Sequence, residues 1–244
     1  MVLQHQIMFF FPIVDEDMTP LNRFGMLYEV SKPVLGVFGT SSKQGKFTLQ
    51  LELRIRLQQL GYKVGQIGTE PQSLLFGFDS VFPIGYNSTV HMSPESMILY
   101  LNNIINELCE KSDIIIVGAQ SGTVPYNSLN ISRIPIKQIS YLYATQPDAV
   151  VLCVNPYDPY DYVKRTIGFI ESGANCKVLG LVVFPMTIME EWSLGYVPKY
   201  KMNEKERNEL KDNLQAYFNI PVFHLDDTED ICNLTKHIID YFCD

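Results

Sequence analysis

Val34-Leu35-Gly36-Val37-Phe38-Gly39-Thr40-Ser41-Ser42-Lys43-Gln44-Gly45-Lys46-Phe47-Thr48 is the stretch whose reading decides the fold. An apolar run of strand length meets a turn bounded by two glycines, and the turn opens on a lysine followed by a helix-forming pattern. Binding a triphosphate takes inward-pointing backbone N–H groups, a helix N-terminus, a lysine for the outer phosphates and a hydroxyl for magnesium. Residues 39–48 can supply each. Gly39 and Gly45 permit close backbone approach, and Thr40, Ser41, Ser42, Lys43, Gln44 and Phe47 complete the loop and its exit. Lys46 brings the ammonium, and Thr48 is the candidate magnesium ligand. Two features depart from the common phosphate-loop pattern. Five residues rather than four separate the glycines, placing Thr40 where glycine is usual, and Phe47 stands where Ser or Thr usually follows the lysine.

Downstream of the loop, Leu49, Leu51, Leu53, Ile55 and Leu57 alternate with polar residues, which taken alone is a strand pattern. The richness of 46–60 in Leu, Gln, Glu and Arg, and its end at Gly61, favour a helix instead. Leu49, Leu53, Leu57 and Leu60 then form its buried stripe, widened by Leu51 and Ile55. Apolar runs at 34–38, 62–67, 114–117, 149–154, 178–183 and 220–223 read as strands covered on both faces. Ser93-Pro94-Glu95 starts a helix through Leu108, with an N-cap serine, proline in the first turn and an acidic residue behind it. Asp158 or Asp161 can cap a helix to about Ser172, Asn203 starts one ending near Tyr217, and 227–230 precede a C-terminal helix through Ile231, Leu234 and Ile238. Strands alternating with helices predict an α/β fold: a three-layer, mostly parallel, doubly wound sheet of the P-loop NTPase type.

At 244 residues, 46% of them hydrophobic, the chain can bury a sizeable core. A formal net charge of −8 and no dense run of Lys or Arg exclude a nucleic-acid-binding stripe. Cys109, Cys153, Cys176, Cys232 and Cys243 contain no C-x-x-C pair and read as reduced core thiols. The apolar run at 7–14 is too short to span a bilayer and is interrupted by Pro12, so a cytoplasmic protein without membrane contact is expected. Residues 1–31, aromatic and then acidic, read as an arm or the remnant of a lost domain, and 32–244 as the nucleotide-binding domain.

The pattern Gly-Thr-x4-Gly-Lys-x-Thr from Gly39 to Thr48 resembles the P-loop of dethiobiotin-synthetase-like proteins. It looks still more like the P-loop domain of the family that includes D-glutamate N-acetyltransferase. Gln66-Ile-Gly-Thr-Glu-Pro-Gln-Ser, Asp113-Ile-Ile-Ile-Val-Gly-Ala-Gln-Ser-Gly122 and Gln146-Pro-Asp-Ala-Val-Val-Leu-Cys153 carry this resemblance in order. Lys32-Pro-Val-Leu-Gly-Val-Phe-Gly-Thr and Gly61-Tyr-Lys-Val-Gly-Gln-Ile-Gly-Thr are similar to clostridial peptide-maturation-system proteins. The resemblance implies ATP or another nucleotide with Mg2+, or acetyl-CoA as the alternative ligand. It also implies a peptide or amino-acid carboxylate as substrate, and a maturation enzyme or a second copy of the chain as partner. Ligase, kinase-like and acyltransferase chemistry stay open, as does a non-catalytic binding role. Two positions depart from the resemblance: Gly118 replaces the acidic residue that follows the third strand in related enzymes, and Phe184-Pro185 replaces an Asn that helps read adenine.

Glu70, just after the second of these strands, is the best replacement for the missing acid, as a magnesium holder through water or a substrate-orienting group; an ordinary Thr-Glu-Pro loop is the plainer alternative. Gln120 and Ser121 could set an amide and a hydroxyl beside the outer phosphate. The candidate catalytic set is therefore Lys46, Glu70 and Gln120, and the candidate metal ligands are Thr48 and Glu70. Tyr157 and Tyr160 could line a pocket, although Asn155-Pro-Tyr-Asp-Pro reads more simply as a turn and helix cap. His91 and His224 read as structural or exposed, and Trp192 as part of a lid or partner surface.

Overall fold

The structure, a computed structural model, describes residues 12–20, 25–85, 88–131, 134–184, 186–188 and 199–243. Seven strands form one sheet in which every pairing is parallel. In chain order they are β2 (Val34–Gly39), β3 (Val64–Gly68), β4 (Ser80–Val81), β6 (Ile114–Gly118), β7 (Ala149–Val154), β8 (Lys177–Val183) and β11 (Val222–His224), arranged as β11-β8-β7-β2-β6-β3-β4. Short β1 (Val14–Asp15) pairs with β5 (Val90–His91), and β9 (Met186–Ile188) pairs antiparallel with β10 (Lys199–Lys201). The expected mostly parallel α/β sheet is thus present, with the two-residue β4 added at its edge.

The helices are α1 (Lys46–Gln59), α2 (Pro94–Cys109), α3 (Ile136–Thr145), α4 (Tyr160–Ala174), α5 (Glu204–Phe218) and α6 (Thr228–Cys243). They divide between two faces, because successive strand residues point to opposite sides. Val34 and Phe38 of β2 join the core under α2, α3, α4 and α5, whereas Leu35 and Val37 join the core under α1 and α6. The three layers follow from strands apolar on both faces, since only helix cover on each side keeps such strands dry. No helix among the described residues is long and apolar enough to cross a membrane.

Local signals account for most of the boundaries. Ser93 Oγ accepts the Ser96 N–H at the start of α2, and Asn203 with Glu206 forms a complete capping box on α5. Asp227 Oδ1 accepts the Glu229 and Asp230 N–H groups before α6. In α1, Leu49, Leu53 and Leu57 are fully buried, so the helical reading of the alternating leucines holds. The stripe is narrower than expected. Leu60 is the C-cap residue and is exposed, and Ile55 is also exposed, because α1 meets the sheet along one side only. Helix α3 has no counterpart in the sequence reading. Pro135 stands at its N-cap without a side-chain cap, so the usual start signal is missing.

The N-terminal residues that are described lie along α2. Glu16 accepts hydrogen bonds from the Ser93 N–H at 2.8 Å and from the Ser93 and Ser96 hydroxyls. These donors hold its carboxyl below the usual range. Asn102, buried in α2, exchanges hydrogen bonds with the Tyr28 backbone at 2.7 and 3.0 Å. Cys109 and Cys153 are buried as expected of core thiols, but Cys232 and Cys243 are exposed because they fall on the outer side of α6.

Candidate nucleotide site

The order of the sheet sets the location. β2 lies between β6 and β7, so the loop after β2 emerges where the chain has crossed to both sides, the usual place for a ligand in such sheets. Gly45 takes a left-handed conformation at φ 79° immediately before α1, and Lys43 does the same at φ 61°. Gly45 is also hemmed in: a Cβ there would lie 2.4 Å from Leu225 Cδ2 and 2.8 Å from Phe184 Cδ2. Only glycine suits both conditions.

Lys46 begins α1 as a buried residue, its Nζ donating to the Ser41 carbonyl at 2.6 Å across the loop. Burial lowers its pKa to about 8, opposed by the negative charge of Glu70. A cation held at the first turn of a helix, inside a glycine-bounded loop, is the arrangement an anionic phosphate chain needs. The Ser41 N–H is taken by Gln44 Oε1 at 3.0 Å, so the ligand-free loop partly satisfies its own donors.

Thr40 behaves differently from its neighbours and is a correction to the expected phosphate contacts. Its N–H donates to the Cys153 carbonyl at 3.1 Å, its carbonyl accepts from the Tyr162 hydroxyl at 2.6 Å, and its hydroxyl donates to Asp158. The same hydroxyl oxygen accepts from Gln44 Nε2 at 2.5 Å. These groups face the protein rather than a ligand. Asp158, in turn, does not cap the helix it precedes: α4 begins at an uncapped Pro159, and Asp158 Oδ2 instead accepts from the Asn155 N–H at 2.8 Å as well as from Thr40.

Phe47, the residue after the lysine, stacks on Phe78 with ring centres 5.4 Å apart and meets Phe76 edge-on. An aromatic cluster therefore holds the residue that follows the lysine, and it offers a metal no hydroxyl. Thr48 lies about 100° further round the helix and is exposed, which does not suit a ligand of a phosphate-bound metal. Lys43 is also exposed, and Ser42 is half-buried.

Glu70 and Gln120, fifty positions apart, come together. Gln120 Nε2 donates to Glu70 Oε1 at 2.6 Å, and Gln120 Oε1 accepts from the buried Thr69 hydroxyl at 3.1 Å. The Gln120 backbone N–H is held by Gln138 Oε1 at 3.0 Å. Since Glu70 also stabilises the Lys46 ammonium, the amide, the carboxylate and the lysine belong to one neighbourhood. Ser121 and Gly122 follow directly, and a Cβ on Gly122 would sit 2.2 Å from the Thr40 carbonyl oxygen, so this loop abuts the phosphate loop.

Gly118 closes β6 with no room for a side chain. A Cβ there would lie 2.0 Å from Gln50 Nε2. Gln50, from α1, has put its amide into the space an acid at that position would use. Its Nε2 donates to the Lys46 carbonyl at 3.3 Å, while its buried Oε1 has no partner among the described residues. Sequence reading missed Gln50, Thr69, Asp158 and Tyr162. Each acts through a residue distant in the chain, and Asp158 carried a misleading local signal as a helix cap.

The other expected positions have different partners or face solvent. Tyr157 is exposed beyond β7, and Tyr160 packs on Tyr217 and Phe218. His91 is exposed. His224 is buried at the end of β11, where burial lowers its pKa and the Arg207 charge adds to the effect. Trp192 lies outside the described residues.

The family model described as "Domain of unknown function (DUF1611_C) P-loop domain" matches residues 23–227. A DUF1611 family protein from Anabaena variabilis superposes with a TM-score of 0.60 at 13% identity, over 86% of this chain and 58% of the other. The chain thus spans less than two thirds of that relative's length. Two further solved structures have lower scores. The cell division ATPase MinD of Pyrococcus furiosus gives a TM-score of 0.49 at 14% identity, over 86% of this chain and 99% of its own. A nucleotide-binding protein from Archaeoglobus fulgidus, in complex with ADP, gives 0.48 at 16% identity, over 83% and 84%. No curated protein matches the chain in sequence. A P-loop geometry on a seven-stranded parallel sheet agrees with the family match, and the chain belongs to the DUF1611 P-loop domain family.

Proposed function

We propose that this chain is a cytoplasmic ATP-binding protein that holds the phosphates in the loop 39–48, with Lys46 meeting the outer phosphates. The carrying observation is the Lys46 ammonium, buried at the first turn of α1 and bonded across the loop to the Ser41 carbonyl at 2.6 Å. A phosphate oxygen is a stronger acceptor than that carbonyl and can replace it. The N–H groups at the start of α1 add to the pull.

For magnesium, the fit rests on Glu70. Magnesium is commonly held by one or two carboxylates together with phosphate oxygens and water, and Glu70 offers one carboxylate whose charge reaches Lys46, steadied by Gln120. Bound there, the ion would neutralise charge on the outer phosphates. Thr48 is exposed and does not fit this role, which leaves Glu70 with Thr69 and Gln120 as the polar side of the site. Phosphoryl transfer would ask nothing more of these residues than positioning and charge stabilisation. The sequence resemblances favour a peptide or amino-acid carboxylate as the group acted upon.

A second reading, binding without turnover, draws support from Gln50. A neutral amide stands where the sequence resemblance implies an acid, and Phe47 follows the lysine where a hydroxyl is usual. Such a chain would serve as a nucleotide-bound partner in a larger assembly, with a second copy or a maturation enzyme as candidates.

Thermal unfolding with ATP, GTP, UTP and acetyl-CoA, with and without Mg2+, tests both readings. ATP at ~100 times its dissociation constant should stabilise the protein by ~2.7 kcal/mol. Lys46→Ala should weaken binding by about 10- to 100-fold, the worth of a charge-assisted hydrogen bond. A shift undiminished in Lys46→Ala, or none with any nucleotide, rejects the proposal. A shift with acetyl-CoA alone moves the assignment to an acyl-CoA site. Release of phosphate from bound ATP would reject the second reading.

A further inference from the structure

Resting on the nucleotide-binding reading above, we propose that Asp158 is a positioning residue for phosphate binding, acting on the P-loop through the side chain of Thr40. Thr40 is the first residue after the opening glycine, and it is only 1% exposed. All of its polar groups are committed to the protein, and three of its four bonds lead to one segment, the end of β7 and the start of α4. Its N–H goes to the Cys153 carbonyl, its hydroxyl proton to Asp158, and its carbonyl receives the Tyr162 hydroxyl. The fourth comes from Gln44 Nε2, at the far end of the same loop. Thr40 therefore joins the two ends of the loop to each other and both to the β7–α4 turn.

Asp158 is the one carboxylate in this arrangement. Its Oδ2 accepts from Thr40 and also from the Asn155 N–H, which fixes the turn that carries it. A charged acceptor makes the stronger bond, and it orients the Thr40 hydroxyl so that the lone pairs face Gln44. Gln44 then presents its Oε1 to the Ser41 N–H at 3.0 Å. The chain Asp158–Thr40–Gln44–Ser41 sets the loop backbone before any ligand arrives, so less order has to be imposed on binding. Tyr162 extends the same control sideways, since its hydroxyl lies 2.6 Å from the Thr40 carbonyl and 3.0 Å from that of Val124, in the loop that carries Gln120 and Ser121.

ATP titration of Asp158→Ala and Thr40→Val should show about tenfold weaker binding for each. The double variant should be no weaker than the worse single one, because both remove the same link. Asp158→Asn and Thr40→Ser keep the acceptor and the hydroxyl, and they should stay within about threefold of the unaltered protein, a rescue that general damage to the fold would not give. Hydrogen–deuterium exchange over residues 40–46 of the ligand-free proteins is the second measurement: it should quicken in Asp158→Ala and Thr40→Val and not in the two conservative variants. Additive losses, or normal affinity and exchange in Asp158→Ala, overturn the proposal. If the unaltered protein binds no ATP but exchange still quickens, the nucleotide reading falls and the anchor stands. If ATP binds with Lys46 required and exchange is unchanged, the anchor alone falls.

Discussion

The helix side and the β6 side of the phosphate loop are built differently. On the helix side, Gly45, Lys46 and the start of α1 keep the geometry that receives an anion: a left-handed glycine at φ 79° and a buried lysine held across the loop. On the β6 side, Gly118 carries no acid and Gln50 has filled the space. Anion binding depends on backbone shape and one cation, whereas metal-assisted chemistry would draw on Glu70, since Gly118, Gln50 and Phe47 offer neither an acid nor a hydroxyl.

The comparison can be broken first on the helix side. Gly45→Ala combines a left-handed penalty of about 1–2 kcal/mol with overpacking against Leu225 and Phe184 of about 1–3 kcal/mol. The urea midpoint should fall accordingly, and an unchanged midpoint would mean that the loop is not built as described. On the β6 side, Gly118→Asp should cost about 2 kcal/mol by collision with Gln50. Adding Gln50→Ala to it should recover most of that loss. The double variant should also bind ATP with stronger dependence on Mg2+, since a carboxylate then stands at the end of β6. Equal costs for the single and double variants would show that Gln50 does not occupy that space.

Protonation sharpens the contrast further. The Lys46 pKa is lowered to about 8, and only the ammonium attracts phosphate, so ATP affinity should be level below pH 8 and fall about tenfold per pH unit above it. The stability of the ligand-free protein should move the opposite way. Between the lowered value of about 8 and the ordinary 10.5, the unfolded chain binds more protons at this lysine than the folded one, so this contribution to stability rises with pH. ATP titrations and chemical denaturation across pH 7–10 read the two slopes, and slopes of the same sign would contradict the assignment. The smallest effect is expected at Thr48. Because it is exposed, Thr48→Ala should change ATP and Mg2+ affinity by no more than about twofold and stability by no more than about 0.5 kcal/mol. A large loss of Mg2+ dependence would restore it as a ligand.

Where the sequence reading failed, it did so for identifiable reasons. Leu60 and Ile55 fit a buried stripe by spacing, but a helix packed on one side of a sheet buries fewer positions than periodicity allows. Helix α3 was invisible because its start at Pro135 lacks a capping side chain. Asp158 looked like a cap because Asp before a helical run usually is one, yet the uncapped Pro159 leaves its carboxylate free to reach Thr40. In each case a local rule gave a sound expectation, and packing between distant segments decided against it.

The sequence alone determined the strand–loop–helix unit around Gly39–Thr48, the other principal strands, and the placement of Glu70 and Gln120 at strand exits, because hydrophobic period, glycine and caps act over a few residues. Tertiary structure alone decided that β2 lies between β6 and β7. From that order follow the pairing of Glu70 with Gln120, the entry of Gln50 beneath Gly118 and the tie from Asp158 to Thr40. These contacts join segments from about 50 to more than 100 positions apart, and the crossing of strands that brings them together is set by burial of both sheet faces rather than by any local pattern.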